Sequence, residues 1–233
     1  MKTTLLIKNL NKSFHVDKGE EYHVLKGIDL EMRETEFFAL MGPSGSGKST
    51  LLNIIGGLIP ASSGSVNIDE SELADLTDNE LTEIRRNKVG WCFQDFNLID
   101  NLSALENVVL AMNLAGKRGS DVEQRGKELL EAVGLGDRIH HLPDALSGGQ
   151  QQRVAIARSL ANNPTIILAD EPTGNLDSQT GKEIIDLFKQ LANSGKTILM
   201  VSHDIALAHA AQKVFILRNG RVEEETDANK EEL

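Results

Sequence analysis

A single cysteine, Cys92, stands in a chain of 233 residues, so no intrachain disulfide can form, and neither a zinc cluster nor a paired-thiol centre is available. Positive charge is scarce as well. Lys and Arg number 24 against 35 Asp and Glu, a formal net charge of -11 that disfavours broad attraction to nucleic acid or an anionic lipid surface. Long hydrophobic runs are also missing: the opening "MKTTLLIKNL" has no apolar core of signal-peptide length, and the uncharged stretch 49–68 is broken by Asn53, Pro60 and Asn67. The acidic stretch 69–81 lacks the glycine and terminal glutamate of a calcium loop and reads as a solvated face. These absences point to a cytoplasmic protein that reaches a membrane only through another polypeptide.

What remains is ordinary globular composition, 40% hydrophobic and 25% charged. Short β-branched runs followed by helical patterns dominate both ends of the chain, an α/β signature. Strands are predicted at 4–10, 27–32, 37–42, 65–69, 89–93, 165–170, 197–202 and 213–218, the last turning through Asn219-Gly220 into a strand at 221–225. The first and last of these read as antiparallel additions to a parallel core. Between Leu102 and Asn163 helical signals replace strand signals, with a capping box predicted from Ser120 to Glu123. Thr77 to Glu80 and Ser147 to Gln150 predict two more boxes, and residues 178–195 an amphipathic helix. His140 and His141 are expected at a helix end facing solvent, Trp91 and Cys92 in the core, and the polar tail 225–233 is expected to fray.

The chemistry is concentrated in a few places. Gly42-x-x-x-x-Gly47-Lys48-Ser49 follows an apolar strand and precedes a helical run, the strand-to-helix context of a phosphate-binding loop. Glycines let backbone N–H groups wrap phosphates, Lys48 reaches the β- and γ-phosphates, and the Ser49 hydroxyl completes a Mg²⁺ shell, so the substrate is a nucleoside triphosphate. A second apolar strand ends in Asp170-Glu171. Asp170 is placed to hold Mg²⁺ through water and Glu171 to polarise the attacking water. Gln94 and His203 end two further apolar strands, at the edge where parallel sheets bind ligands. Finally, "LSGGQ" at 146–150 opens a helix that runs toward Pro164 with two glycines, each costing roughly 1 kcal/mol relative to alanine in a helix. A start that bare exposes N–H groups and the positive dipole end to an anion.

Taken in this order, the motifs resemble those of the ATP-binding cassette (ABC) ATPases, from about Leu5 to Glu224. The resemblance implies one domain over 1–233: a P-loop NTPase core (1–94 and 164–233) of mostly parallel sheet flanked by helices, with antiparallel β additions and an inserted α-helical subdomain (95–163). It implies ATP hydrolysis with ATP and Mg²⁺ as ligands. Gly42, Pro43, Ser44, Gly45, Ser46, Gly47, Lys48, Ser49 and Thr50 would surround the phosphates, and Phe14, more than Tyr22, would stack on the adenine. Ser49, Gln94 and Asp170 would serve the metal, and Glu171, His203 and Gln94 would be catalytic. Leu146, Ser147, Gly148, Gly149 and Gln150 would form the signature, acting in trans on ATP held by a second copy, with Asp177 closing the D-loop. The glycines would then be bare so that phosphate and partner backbone can come close. One departure is Thr35-Glu36 where the family usually has Gly-Glu, so a different local turn is expected there, without consequence for catalysis.

The stand-alone chain and "ADEPTGNLD" are similar to the lipoprotein-release, macrolide-export and FtsE-like division group. That likeness implies a separate membrane permease as partner, no nucleic acid, and a peripheral place on the cytoplasmic face. Its coupling segment would be received by the helical insertion and the Gln94 loop. The alternative is a soluble ABC ATPase of DNA repair or translation, but those usually carry long coiled coils or two cassettes. A non-hydrolysing module is disfavoured by intact Lys48, Asp170, Glu171 and His203, and a GTPase by the lack of an N-K-x-D motif.

Overall fold

A computed structural model describes residues 2–16 and 20–224; the tail predicted at 225–233 lies outside them. In chain order the strands are β1 (Thr3–Val16), β2 (Glu20–Arg33), β3 (Phe37–Met41), β4 (Ser63–Ile68), β5 (Ser71–Glu72), β6 (Val89–Phe93), β7 (Ile166–Asp170), β8 (Thr197–Val201), β9 (Lys213–Arg218) and β10 (Arg221–Glu224). The helices are α1 (Lys48–Ile55), α2 (Asp78–Asn87), α3 (Ala104–Leu114), α4 (Ser120–Ala132), α5 (Gly148–Ser159), α6 (Ser178–Asn193) and α7 (Ile205–Ala208). A 6-stranded sheet has the order β10-β9-β3-β8-β7-β6, and a 4-stranded sheet the order β2-β1-β4-β5. Neighbours in the larger sheet are parallel except β10, which returns antiparallel to β9. The smaller sheet is antiparallel throughout. The expected P-loop NTPase α/β fold is the fold found.

Strand periodicity explains the layers. On β3, Phe37, Ala39 and Met41 join one core while Phe38 and Leu40 join another, and β7 and β8 divide their residues the same way. A parallel sheet buried on both faces needs such uninterrupted apolar runs. The first core continues from the sheet through α6 into Val108, Leu130 and Val154 of α3, α4 and α5, so the helical insertion shares its core with one sheet face. The second core lies between the other face, α1 and the antiparallel sheet.

The structure revises four local expectations. Ser120 caps nothing: α4 is preceded by Gly119 (φ 101) with no side-chain cap, and the Ser120 hydroxyl turns to Asp121 instead. The α5 helix stops at Ser159, short of Pro164, with its terminal carbonyls taken by the N–H groups of Leu160 and Ala161. Strands β1 and β2 run well past 10 and start well before 27, as a long hairpin whose polar outer arm is held by pairing, including Ser13 Oγ to His23 Nδ1 at 2.7 Å. Trp91 is only half-buried, whereas Cys92 is fully buried, which pushes its thiol up to about 12. The boxes at Thr77–Glu80 and Ser147–Gln150 form as expected. His140 is exposed and His141 half-buried, both in the turn segment after α4.

Candidate active site

The strand order β3-β8-β7-β6 sets four carboxyl ends side by side, and each delivers one motif. The 42–50 loop follows β3, His203 follows β8, Asp170 and Glu171 close β7, and Gln94 follows β6. Segments far apart in sequence thus share one edge, where parallel sheets hold ligands.

The loop turns on Gly42 (φ 148), Gly45 (φ 76) and Gly47 (φ 105). A Cβ at Gly42 would meet the Leu217 carbonyl oxygen at 2.2 Å, so only glycine fits that backbone and that space. Gly47 stands at the N-cap of α1 and supplies no side-chain acceptor, which leaves the first N–H groups of the helix to an external one. Lys48, 8% exposed, bends back so that its ammonium donates to the carbonyls of Gly42 (2.8 Å) and Pro43 (3.1 Å). An open cavity of about 510 Å³ is lined by Val24, Gly42, Ser44, Gly45, Gly47, Lys48, Ser49, Thr50, Glu171 and His203. Pro43 borders a neighbouring cavity, and the Ser46 hydroxyl is buried beneath the loop with no hydrogen-bond partner.

Across the loop, Asp170 stands where the Ser49 hydroxyl and Lys48 act on its carboxyl. Burial raises its pKa, and the neighbouring Glu171 adds to the rise, while the Ser49 hydroxyl and Lys48 oppose it. Glu171 sits in the left-handed region (φ 48), strained for a side-chain-bearing residue. Its N–H donates to Val201 of β8, and its Oε2 lies 3.0 Å from His203 Nδ1. The backbone thus turns this carboxylate into the cavity and onto the histidine.

Gln94 does not line that cavity. Its amide donates to Asn175 Oδ1 (3.1 Å), and Asn175 returns bonds to the Gln94 carbonyl (3.2 Å) and Asp95 (2.8 Å). Phe14 also lies outside the lining, under the ammonium of Lys12 at 4.8 Å and directly across from Tyr22. The same hairpin carries Val24, left out of the pairing at a register shift, to the edge of the cavity beside Gly47.

The signature segment stands apart from its own chain's cavity. Ser147 Oγ accepts from the Gln150 N–H (3.3 Å) and Gln150 Oε1 from the Ser147 N–H (2.9 Å), while Leu146 is buried. Within the chain the two signature glycines differ in the room around them. Gly149 is buried, and a Cβ there would meet the Thr180 methyl at 2.4 Å; its bareness serves packing against α6 within the chain. Gly148 is more open, with Leu176 as nearest neighbour at 3.3 Å. Asp177 caps α6, accepting from Gln179 and Thr180 N–H groups and from the Thr180 hydroxyl (2.6 Å), bonds that hold its carboxyl below the usual range. Thr180 therefore ties the Asp177 loop to the signature glycine, a link invisible in sequence because it joins residues of two separate helices.

Residues 25–174 match the ABC transporter family. The chain belongs to that family. An uncharacterized ABC transporter ATP-binding protein of Methanocaldococcus jannaschii, MJ0796, is 50% identical over 225 residues, 94% of this chain and 95% of that protein. The macrolide export ATP-binding/permease protein MacB of Aggregatibacter actinomycetemcomitans is 48% identical over 221 residues, 94% of this chain but 34% of MacB. A dimeric structure of the MJ0796 cassette in a post-hydrolysis state, bound to ADP and Pi, matches with a TM-score of 0.85 and 48% identity, covering 95% of this chain and 98% of that one. This ABC chain is a nucleotide-binding ATPase subunit of the transporter type, and the soluble repair or translation alternative is not favoured. Among the described residues no helix is long and apolar enough to cross a membrane.

Proposed function

We propose that the chain binds Mg-ATP between two copies arranged head to tail, and that hydrolysis reopens the dimer and drives a separate membrane permease from its cytoplasmic face. The observation that carries this reading is the meeting of Lys48, Ser49, Glu171 and His203 around one cavity that the signature segment of the same chain does not line. A signature outside its own chain's nucleotide site is free to complete a site on another copy, and the MJ0796 cassette with ADP and Pi bound is a dimer.

In this reading the 42–50 loop holds the phosphates, Phe14 or Tyr22 stacks on the base, Glu171 orients the attacking water, and His203 fixes Glu171 through the 3.0 Å contact. The donor set fits Mg²⁺: Ser49 and Asp170 present hard oxygen atoms, the Ser49 hydroxyl acting on the Asp170 carboxyl across the loop. Among the described residues no group of three or more His, Cys, Asp or Glu is placed to hold a metal, and a Mg²⁺ that keeps waters and substrate phosphates as ligands needs no such group. When bound, Mg²⁺ would neutralise charge developing on the transferred phosphoryl group. Gln94 would join its ligands in the nucleotide-loaded dimer.

The domain division proposed from sequence, core at 1–94 and 164–233 with the insertion at 95–163, gives the permease a place to act. A groove of about 230 Å³ runs between the two parts, with Trp91, Leu114 and Asn162 among its walls and Arg85, Arg86 and Arg158 beside them. Leu114 is 62% exposed there, an apolar contact ringed by cations that suits a short permease segment with acidic flanks. MacB, whose name joins export ATPase and permease, supports a partner of this kind.

The test is Glu171→Gln, expected to keep ATP binding, to lose turnover by about two orders of magnitude or more, and to accumulate as a dimer with Mg-ATP. Light scattering that finds only monomer in Mg-ATP would reject the trans arrangement. Capture of the same variant from detergent-solubilised membranes should recover a multi-span protein; recovery of soluble partners alone would reject the permease.

A further inference from the structure

We propose that Arg158 is a positioning residue for the Gln94 loop, fixing it to the signature helix. This deepens the reading above, because it rests on Gln94 being a site residue.

After β6 the chain passes Gln94 and Asp95, then turns through Phe96 (φ 60) and Asn97 (φ 48). Two successive side-chain-bearing residues in the left-handed region form an unfavourable turn that needs outside support, a bulky Phe most of all. Arg158, near the far end of α5, supplies it. Its guanidinium donates Nη2 to the Phe96 carbonyl (2.6 Å) and Nη1 to the Asn97 carbonyl, so one planar fork holds two consecutive peptide oxygens. Burial lowers the Arg158 pKa, the mark of a cation taken out of water to make these contacts. At the other end of α5, a Cβ on Gly148 would come within 3.7 Å of the Phe96 ring. The loop therefore runs along the helix, held by the Arg158 fork at one end and with the Phe96 ring close to Gly148 at the other.

From there the connections lead to the cavity. Asn175 holds Gln94 and Asp95, and the N–H of Gly174 donates to the Glu171 carbonyl at 3.0 Å. A shift of α5, whose N-terminus is the signature, thus moves the Arg158 fork, then the Phe96–Asn97 turn, then Gln94 and its Asn175 partner, next in chain to the Gly174 N–H that holds the Glu171 carbonyl. Lysine would keep the charge but not the two-pronged hold.

The experiment compares Arg158→Lys, Gln94→Ala and the double variant by steady-state ATPase kinetics and by amide hydrogen exchange over residues 95–99. We expect Arg158→Lys to lower kcat about tenfold with KM for ATP within about twofold, and exchange at 95–99 to quicken. In the Gln94→Ala background the same change should cost less than about twofold, because its effect passes through Gln94. A full tenfold loss in both backgrounds, or unchanged exchange, overturns the inference and leaves Arg158 a packing residue. If Gln94→Ala itself keeps full kcat, the reading of Gln94 falls and this one with it; if Gln94→Ala is slow but Arg158→Lys is normal, only the role of Arg158 falls. Should Arg158→Lys fold poorly, adding Asn97→Gly, which relaxes the left-handed turn, must restore folding and part of kcat, and failure to do so also counts against the proposal.

Discussion

Glycine stands at the start of both α1 and α5, and the two helices begin differently. The start of α1 has Gly47 at its N-cap, no side-chain acceptor, and a lysine at the next position. By contrast, α5 has Ser147 and Gln150 in a reciprocal capping box, with Gly149 filled in by the Thr180 methyl. An uncapped helix start facing its own cavity is a ligand site waiting on the chain itself. A capped start braced from behind is a rigid surface, which the proposed dimer would present to the nucleotide of the other copy. The same residue type therefore serves conformational freedom at 47 and close packing at 149.

The sharpest way to break this contrast is to alter each helix start and read nucleotide affinity alone. Lys48→Ala removes a charge-assisted contact to phosphate and should weaken ATP binding about 100-fold, measured by calorimetry on the isolated chain. Ser147→Arg, by contrast, should change that affinity by less than about twofold, because Ser147 lies outside the cavity, yet abolish the ATP-dependent dimer. Equal losses in the two variants would mean that both helix starts serve one site on one chain.

A second, smaller effect separates packing from ligand contact at Gly149. Gly149→Ala places a methyl 2.4 Å from Thr180 Cγ2 and should destabilise the fold by about 1–3 kcal/mol in urea unfolding. Thr180→Ser in the same chain removes the clashing methyl and keeps the hydroxyl for Asp177, so it should return most of the loss. If it returns none, Gly149 is bare for a reason outside the chain.

These cases show where the sequence is legible. The phosphate loop is local: glycines, lysine and serine within one short segment after an apolar strand state their chemistry without any partner. The buried strands are legible for a similar reason, since Phe37 to Met41 are apolar without interruption. Residues 11–16 and 20–26 are hidden in sequence because Asn11, Lys12, Ser13, Glu21 and His23 carry no apolar alternation, and their strands exist by pairing with each other. Ser120 and Glu123 satisfied a local rule that Gly119 pre-empted by starting α4 one residue earlier. The adjacency of His203 and Glu171, the Thr180 brace and the Arg158 fork all depend on strand order or helix contact, which no single segment encodes.

A third effect concerns the carboxylate beside α1. The folded pKa of Asp170 is raised, chiefly by burial, so the stability it contributes is fully present below the ordinary carboxylate pKa and is lost as pH rises through the folded value. At neutral pH the ionised group is a burden on the nucleotide-free chain. Asp170→Asn, which cannot ionise, should melt higher than the parent at pH 7. The gap should close as pH falls below the ordinary carboxylate range, and ATPase activity of the variant should drop sharply. A variant that melts lower than the parent at pH 7 would show that the neighbours of the ionised carboxylate outweigh its burial cost.

The smallest effect lies at the opposite end of β3, and it turns the contrast between helix starts into one between the ends of a strand. After β3 the left-handed positions are taken by glycines; before it, Thr35 sits at φ 70, a β-branched residue where backbone and Cβ conflict. The turn expected to change with Thr35 in place of the usual glycine therefore keeps a left-handed residue, held by the Thr35 N–H donating to Thr197 Oγ1 at 3.2 Å. Thr35→Gly keeps that N–H and removes the conflict. Left-handed strain of about 1–2 kcal/mol for a side-chain-bearing residue, less about 0.4–1 kcal/mol for the looser unfolded chain, leaves a net gain of about 0.5–1 kcal/mol. Chemical denaturation should show that gain with ATP affinity unaltered, because the turn lies at the amino end of β3 and the phosphates at its carboxyl end. A loss of stability would mean that the Thr35 side chain makes up for its strain, and the two ends of the strand would then obey one rule.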